Sequence, residues 1–131
     1  MSTRARILLI DDNADFRETL TVRLQADGYQ IRAVATGEDG IAAIANEPYD
    51  LVLLDMLMPH KDGIATYEDL RANPRTRRLP IIMLTGVAVE GHWEPMPQET
   101  DNRAFVMGKP YDLALLVARI DQVLAQAKGA T

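Results

Sequence analysis

The chain has no cysteine. Disulfides, thiolate zinc sites and cysteine nucleophiles are therefore excluded. It has only two histidines, His60 and His92, too few for a histidine-rich metal site. No apolar run approaches the ~20 residues that a membrane-spanning helix needs. The N-terminal residues lead into a short apolar run that stops at Asp11, too short for the apolar stretch of a secretory signal. There is no excess of positive charge: 14 basic against 19 acidic residues give a net charge of −5, which argues against direct nucleic-acid binding. Neither GxGxxG nor a P-loop is present, and there is no internal repeat or low-complexity segment. These absences suggest a soluble cytoplasmic protein with no membrane insertion.

What remains is ordinary globular material. Apolar residues make up 47% and charged residues 25%, so disorder of the whole chain is excluded. A length of 131 residues fits one domain, 1–131. The one basic cluster is Arg71, Arg75, Arg77 and Arg78, which reads as a solvated loop, or in a sharper reading as a docking patch for an acidic partner.

The apolar residues fall into two kinds of pattern. Ile7-Leu8-Leu9-Ile10, Leu51-Val52-Leu53-Leu54 and Pro80-Ile81-Ile82-Met83-Leu84 are continuous runs, each ended by polar residues, as in strands buried on both faces. Ala104-Phe105-Val106-Met107 is a shorter run, and Gln30–Ala35 begins with the alternation of a half-buried edge strand. Between the runs the spacing turns helical. Phe16, Leu20 and Leu24 recur every fourth residue, with Gly28 as a stop. Thr36 can cap a short helix carrying Ile41, Ile44 and Ala45; a further helix runs from Gly63 through Leu70. Leu113, Leu116, Val117, Ile120, Val123, Leu124 and Ala127 form a final helical stripe. This alternation predicts an α/β fold, a doubly wound five-stranded parallel sheet with helices on both faces. The stretch 87–103 is the exception: Pro95 and Pro97 disfavour a regular helix, so a fourth helix there is expected to be short or irregular.

In such a sheet, ligands bind beyond the carboxyl ends of the strands. Asp11-Asp12, Asp55, Thr85 and Lys109 all follow apolar runs and are expected at that edge. Three crowded carboxylates favour a hard divalent ion, and Mg²⁺ suits carboxylates combined with water and phosphate oxygens. A carboxylate beside such an ion and a lysine can attack phosphorus. Each residue alone has a plain explanation: a helix cap for Asp11-Asp12, a loop aspartate for Asp55, a strand-end hydroxyl for Thr85, a surface lysine for Lys109. Their joint occurrence at successive strand ends is what argues for a site.

With these pieces assembled, the sequence resembles the receiver domain of two-component response regulators over nearly its whole length. The matching segments are Ile10-Asp11-Asp12-Asn13, Asp55-Met56-Leu57-Met58-Pro59 leading to Asp62-Gly63, Leu84-Thr85-Gly86, and Lys109-Pro110. The resemblance implies the flavodoxin-like strand order 2-1-3-4-5. It implies that Asp55 is the phosphoacceptor and that Asp11, Asp12, Asp55 and the carbonyl of Leu57 hold Mg²⁺. Thr85 would receive the phosphoryl group, and Lys109 would pair with Asp55 or its phosphate. The donor would be a sensor histidine kinase or a histidine phosphotransfer protein. Such a protein is a switch rather than a turnover enzyme, because Asp55 is consumed as the acceptor.

The chain departs from the family pattern in places. The switch aromatic usually lies three residues before the lysine, where this chain has Val106; Phe105 lies one residue earlier. Either Gly108 introduces a bulge that restores the aromatic's face, which its glycine character favours, or the usual switch is lacking. Trp93, in the irregular stretch, reads first as a core or loop-anchoring side chain and second as an interface anchor. Leu57 and Val87 occupy positions that, by resemblance, arrange the water for dephosphorylation; both are apolar, which implies a long-lived phosphoryl group. His60, beside the site, reads as an exposed loop residue. No output domain follows the last helix, so the expectation is a stand-alone receiver, a monomer or weak dimer acting on an output protein. The alternatives are a phosphorylation-independent interaction module, the N-terminal fragment of a larger regulator, or a phosphohydrolase or flavin enzyme on the same sheet.

Overall fold

A computed structural model describes residues 5–56, 63–85, 103–108 and 112–129. The described strands are β1 (Arg6–Ile10), β2 (Gln30–Val34), β3 (Leu51–Asp55), β4 (Ile81–Thr85) and β5 (Ala104–Gly108). The described helices are α1 (Ala14–Ala26), α2 (Gly37–Asn46), α3 (Gly63–Ala72) and α4 (Leu113–Gly129). The strands form one parallel sheet in the order β2-β1-β3-β4-β5, as expected. Residues 87–102, where a short or irregular helix was expected, lie outside the described residues, and Trp93 with them.

The continuous apolar runs follow from two-sided burial. Along β1, Ile7 and Leu9 join a core with Leu20 and Leu24 of α1 and Leu116, Ile120 and Val123 of α4. Leu8 and Ile10 point the other way, into a core with Ala43 and Ile44 of α2 and Leu70 of α3. β3 and β4 divide their residues in the same alternating manner, so each consecutive residue needs an apolar side chain. β2, at the edge, exposes Gln30 and Arg32 and only partly buries its other residues, which matches its polar start.

The helices start and stop where local chemistry directs. Asn13 caps α1 by accepting from the Phe16 N–H at 2.9 Å. Gly28 takes φ 92° just after α1, and the Tyr29 N–H returns to the Leu24 carbonyl at 3.0 Å, a glycine-based helix stop. Thr36 caps α2 through the Asp39 N–H at 3.0 Å. On α2 the inward stripe is Gly40, Ala43 and Ile44, while Ala45 is exposed. Gly40 lets α2 pack closely on β1: a Cβ there would lie 2.3 Å from Ile10 Cδ1, which would have to shift.

Arg71 departs from the solvated cluster expected of it. Its guanidinium donates to the carbonyls of Thr76 at 3.1 Å, Leu79 at 2.7 Å and Arg103 at 3.2 Å, and lies 5.4 Å above the Tyr67 ring. The fork thus ties α3 to the loop before β4 and to the residue that precedes β5. Arg75, Arg77 and Arg78 are exposed, as expected. The difference was hidden from sequence because the carbonyls it joins belong to two separate segments, the loop before β4 and the residue before β5.

The β5 register also corrects an expectation. Ile82 pairs with Phe105, Met83 with Val106, Leu84 with Met107 and Thr85 with Gly108, one to one, so no bulge interrupts the ladder through Gly108. Among the described residues, a Cβ on Gly108 would meet nothing within 4 Å. Alternation therefore runs on unbroken. Phe105 and Met107 pack on the α1/α4 face and Val106 on the α2/α3 face. The Arg119 guanidinium of α4 lies 5.0 Å above the Phe105 ring.

At the foot of the sheet edge, Arg6 and Arg32 both bond Glu47, and Arg6 lies 5.5 Å above the Tyr49 ring. The Tyr49 hydroxyl is buried and has no hydrogen-bond partner among the described residues. Burial, with help from the Glu47 charge, raises its pKa above the ordinary value of 10.0, against the opposing pull of Arg32 and Arg6. A raised folded-state pKa contributes stability that is complete below the unfolded value and is lost as pH rises through the folded one.

Two measurements check these assignments. Lysine cannot reproduce the fork of Arg71, so Arg71→Lys is expected to lower stability by about 2 kcal/mol in urea unfolding; wild-type stability would show the contacts to be dispensable. Tyr49→Phe is expected to keep wild-type stability at neutral pH and to lose less of it than wild type above pH 10. Equal alkaline losses in the two proteins would remove Tyr49 from the account.

Candidate functional site

The site is assembled by register. Ile10 of β1 pairs with Leu54 of β3, so the next residues, Asp11 and Asp55, emerge side by side at the carboxyl edge. β1 is also the strand at which chain order reverses, since β2 lies on one side of it and β3 on the other. A crevice opens at such a point. Asp55 pairs with Leu84, which puts Thr85 one residue further along the same edge, and Thr85 pairs with Gly108, just before Lys109.

Asp11, Asp12 and Asp55 each offer a carboxylate oxygen, and these oxygens lie within 4.8 Å of one another. Asp11 and Asp55 are buried, whereas Asp12 is exposed. The helix cap that Asp11-Asp12 could have supplied is instead made by Asn13, which leaves both carboxylates for the edge. Asp11 is fixed within the turn: its N–H donates to the Val34 carbonyl at 3.0 Å, and its Oδ1 accepts from the Asn13 N–H at 2.8 Å. The Arg17 guanidinium donates to the Asp11 carbonyl at 2.9 Å. Sequence reading missed Arg17, because its place four residues past the cap marks it only as a helix-surface cation.

These residues fit a hard divalent ion. All three donors are carboxylate oxygens, the residue type that Mg²⁺ prefers, and exposure of Asp12 leaves one side open for the waters that Mg²⁺ retains. Of the other expected site residues, Thr85 is placed as the last residue of β4. Leu57 and Lys109 lie outside the described residues, as do His60 and Val87.

A glycine lets β3 lie close against the start of α3. Gly63, the first residue of α3, donates its N–H to the Met56 carbonyl at 3.3 Å. A Cβ at Gly63 would lie 2.5 Å from the Asp55 carbonyl oxygen and 2.5 Å from Met56 Cα. Backbone cannot yield as a side-chain tip can. Gly63→Ala is therefore expected to cost about 1–3 kcal/mol in chemical unfolding; an unchanged midpoint would mean that α3 shifts freely away from β3.

Comparison with known proteins bears on this arrangement. The transcriptional regulatory protein GltR of Pseudomonas aeruginosa is 35% identical over 129 residues, which are 98% of this chain and 52% of that protein. The chain spans about half the length of that relative, and about a quarter of the response regulator PleD of Caulobacter vibrioides, to which it is 30% identical over 88% of its own length. Among solved structures, the receiver domain of a Pseudomonas aeruginosa sensor histidine kinase, described with a magnesium ion coordinated in its active-site cleft, superposes with a TM-score of 0.76 at 27% identity, covering 92% of this chain and 98% of that one. The sequence pattern of the response regulator receiver domain matches residues 7–121. With the strand order, the paired ends of β1 and β3 and this match in agreement, the chain belongs to the response regulator receiver domain family.

Proposed function

We propose that this receiver domain is a phosphorylation-activated signalling switch that accepts a phosphoryl group on Asp55. The observation that carries this reading is the convergence of Asp11, Asp12 and Asp55 at the paired ends of β1 and β3. The magnesium described in the similar sensor-kinase receiver domain supports it.

Asp11, Asp12 and Asp55 would hold Mg²⁺, with the carbonyl of Leu57 as a further ligand. Bound there, the ion would offset the carboxylate charge and bind the oxygens of an incoming phosphoryl group. Asp55 supplies the nucleophile. One of its carboxylate oxygens bonds to phosphorus, the bond from phosphorus to the donor's imidazole nitrogen breaks, and that nitrogen keeps the electron pair. Burial of Asp55 limits the access of competing water to the acyl phosphate. Thr85 donates its hydroxyl to a phosphoryl oxygen, and Lys109 neutralises the added charge. Asp55 is consumed in each event, so the protein acts as a switch and not as a turnover enzyme. The donor is a histidine kinase or a histidine phosphotransfer protein. Output follows from a shift between two conformations, and a partner responds only through its different affinities for them.

Intact mass after incubation with acetyl phosphate is the direct test. One phosphoryl adduct is expected, requiring Mg²⁺ and absent from Asp55→Asn; an adduct on the Asn variant, or none on wild type, defeats the proposal. With apolar Leu57 and Val87 unable to orient water, the adduct is expected to persist well beyond seconds after donor removal.

A further inference from the structure

Arg17 is in an unusual place for a cation. It lies in the first turn of α1, where the helix presents its positive end and a basic side chain is disfavoured. Its backbone N–H bonds the Asn13 carbonyl at 3.0 Å, yet its half-buried side chain turns back across the cap to donate Nη1 to the Asp11 carbonyl at 2.9 Å. That carbonyl belongs to the peptide joining Asp11 to Asp12. The neighbouring peptides are held too: the Asp11 N–H donates to the Val34 carbonyl of β2, and the Asn13 N–H donates to Asp11 Oδ1. The guanidinium thus adds a restraint on the Asp11 carbonyl from a helix side chain.

We propose that Arg17 is a positioning residue for divalent-ion binding: through the Asp11 carbonyl it fixes the peptide that carries both Asp11 and Asp12. The inference rests on the reading of Asp11, Asp12 and Asp55 as a Mg²⁺ site. Two effects of Arg17 oppose each other there. Its permanent charge repels a cation, and its hydrogen bond orders two of the cation's ligands. The geometry favours the second, because the guanidinium is spent on a backbone carbonyl, a directional contact, and Asp12 is an exposed side chain that depends on its backbone for direction.

The two effects predict opposite signs, which makes the test decisive. Mg²⁺ alone is titrated calorimetrically into wild type, Arg17→Gln, Arg17→Lys and Asp12→Asn, with thermal melts of each. Partners that orient metal ligands are commonly worth 10–100-fold in affinity, so Arg17→Gln is expected to weaken Mg²⁺ binding about 10-fold. Arg17→Lys is expected to recover part of that loss. Arg17→Met keeps the aliphatic stem and should show the same loss, which covers the case in which the glutamine variant does not fold. Tighter binding by Arg17→Gln would mean that charge dominates, and it overturns the proposal. So does a lower melting temperature with unaltered Mg²⁺ affinity, the mark of a purely structural residue. If wild type binds no Mg²⁺, or Asp12→Asn binds as tightly as wild type, the reading of the site itself falls and this inference with it.

Discussion

The pairing of β1 with β3 is the contact on which the acidic edge depends. Ile10 and Leu54 are partners in the ladder, both fully buried on the α2/α3 face, and the residue after each is an aspartate. A slip of one residue would send every side chain of one strand to the opposite face and separate the two carboxylates. Such a slip is prohibited by burial on both sides, since the strand has no solvent face to which a misplaced residue could turn. The apolar core therefore sets the distance between acidic groups that repel each other.

Around that edge, the structure offsets like charge with backbone polarity rather than with side-chain ion pairs alone. Asp11 Oδ1 accepts from a backbone N–H, the start of α1 lies beside it, and Asn13 takes over the capping that an aspartate would otherwise perform. The consequence is a division of labour within three consecutive residues. Asn13 starts the helix, Asp11 is buried and fixed, and Asp12 stays exposed beside it. Gly63 plays the corresponding part at the other strand, because only a residue without Cβ lets α3 begin against the backbone of Asp55 and Met56.

The second half of the sheet shows how an argument from one local residue type can mislead. Gly108 suggested a bulge, yet β4 and β5 pair without interruption through it. Phe105 is thereby committed to the α1/α4 face, under Arg119, opposite to the face taken by Val106 at the family's usual aromatic position. Arg71 makes the complementary point. In sequence it is one arginine of four; in the fold it is a three-carbonyl fork, because the ends of α3, the following loop and the start of β5 converge on it.

The sequence by itself determined the elements and their sidedness. Continuous apolar runs cannot be half-exposed strands, recurrence every three or four residues over several turns fits a helical face, and Thr36 and Gly28 mark helix boundaries through chemistry confined to a few neighbours. It also determined which polar residues end strands, and so which could share an edge. The tertiary structure decided the quantities that depend on segments distant in sequence. These are the convergence of the three carboxylates, the face on which Phe105 packs, the carbonyls that Arg71 holds and the reach of Arg17 to Asp11. Local patterning is set by interactions within a turn or a strand. Register and long side-chain contacts are settled only when the whole core closes, because only then does each displaced alternative cost a buried apolar face or an unmet backbone group.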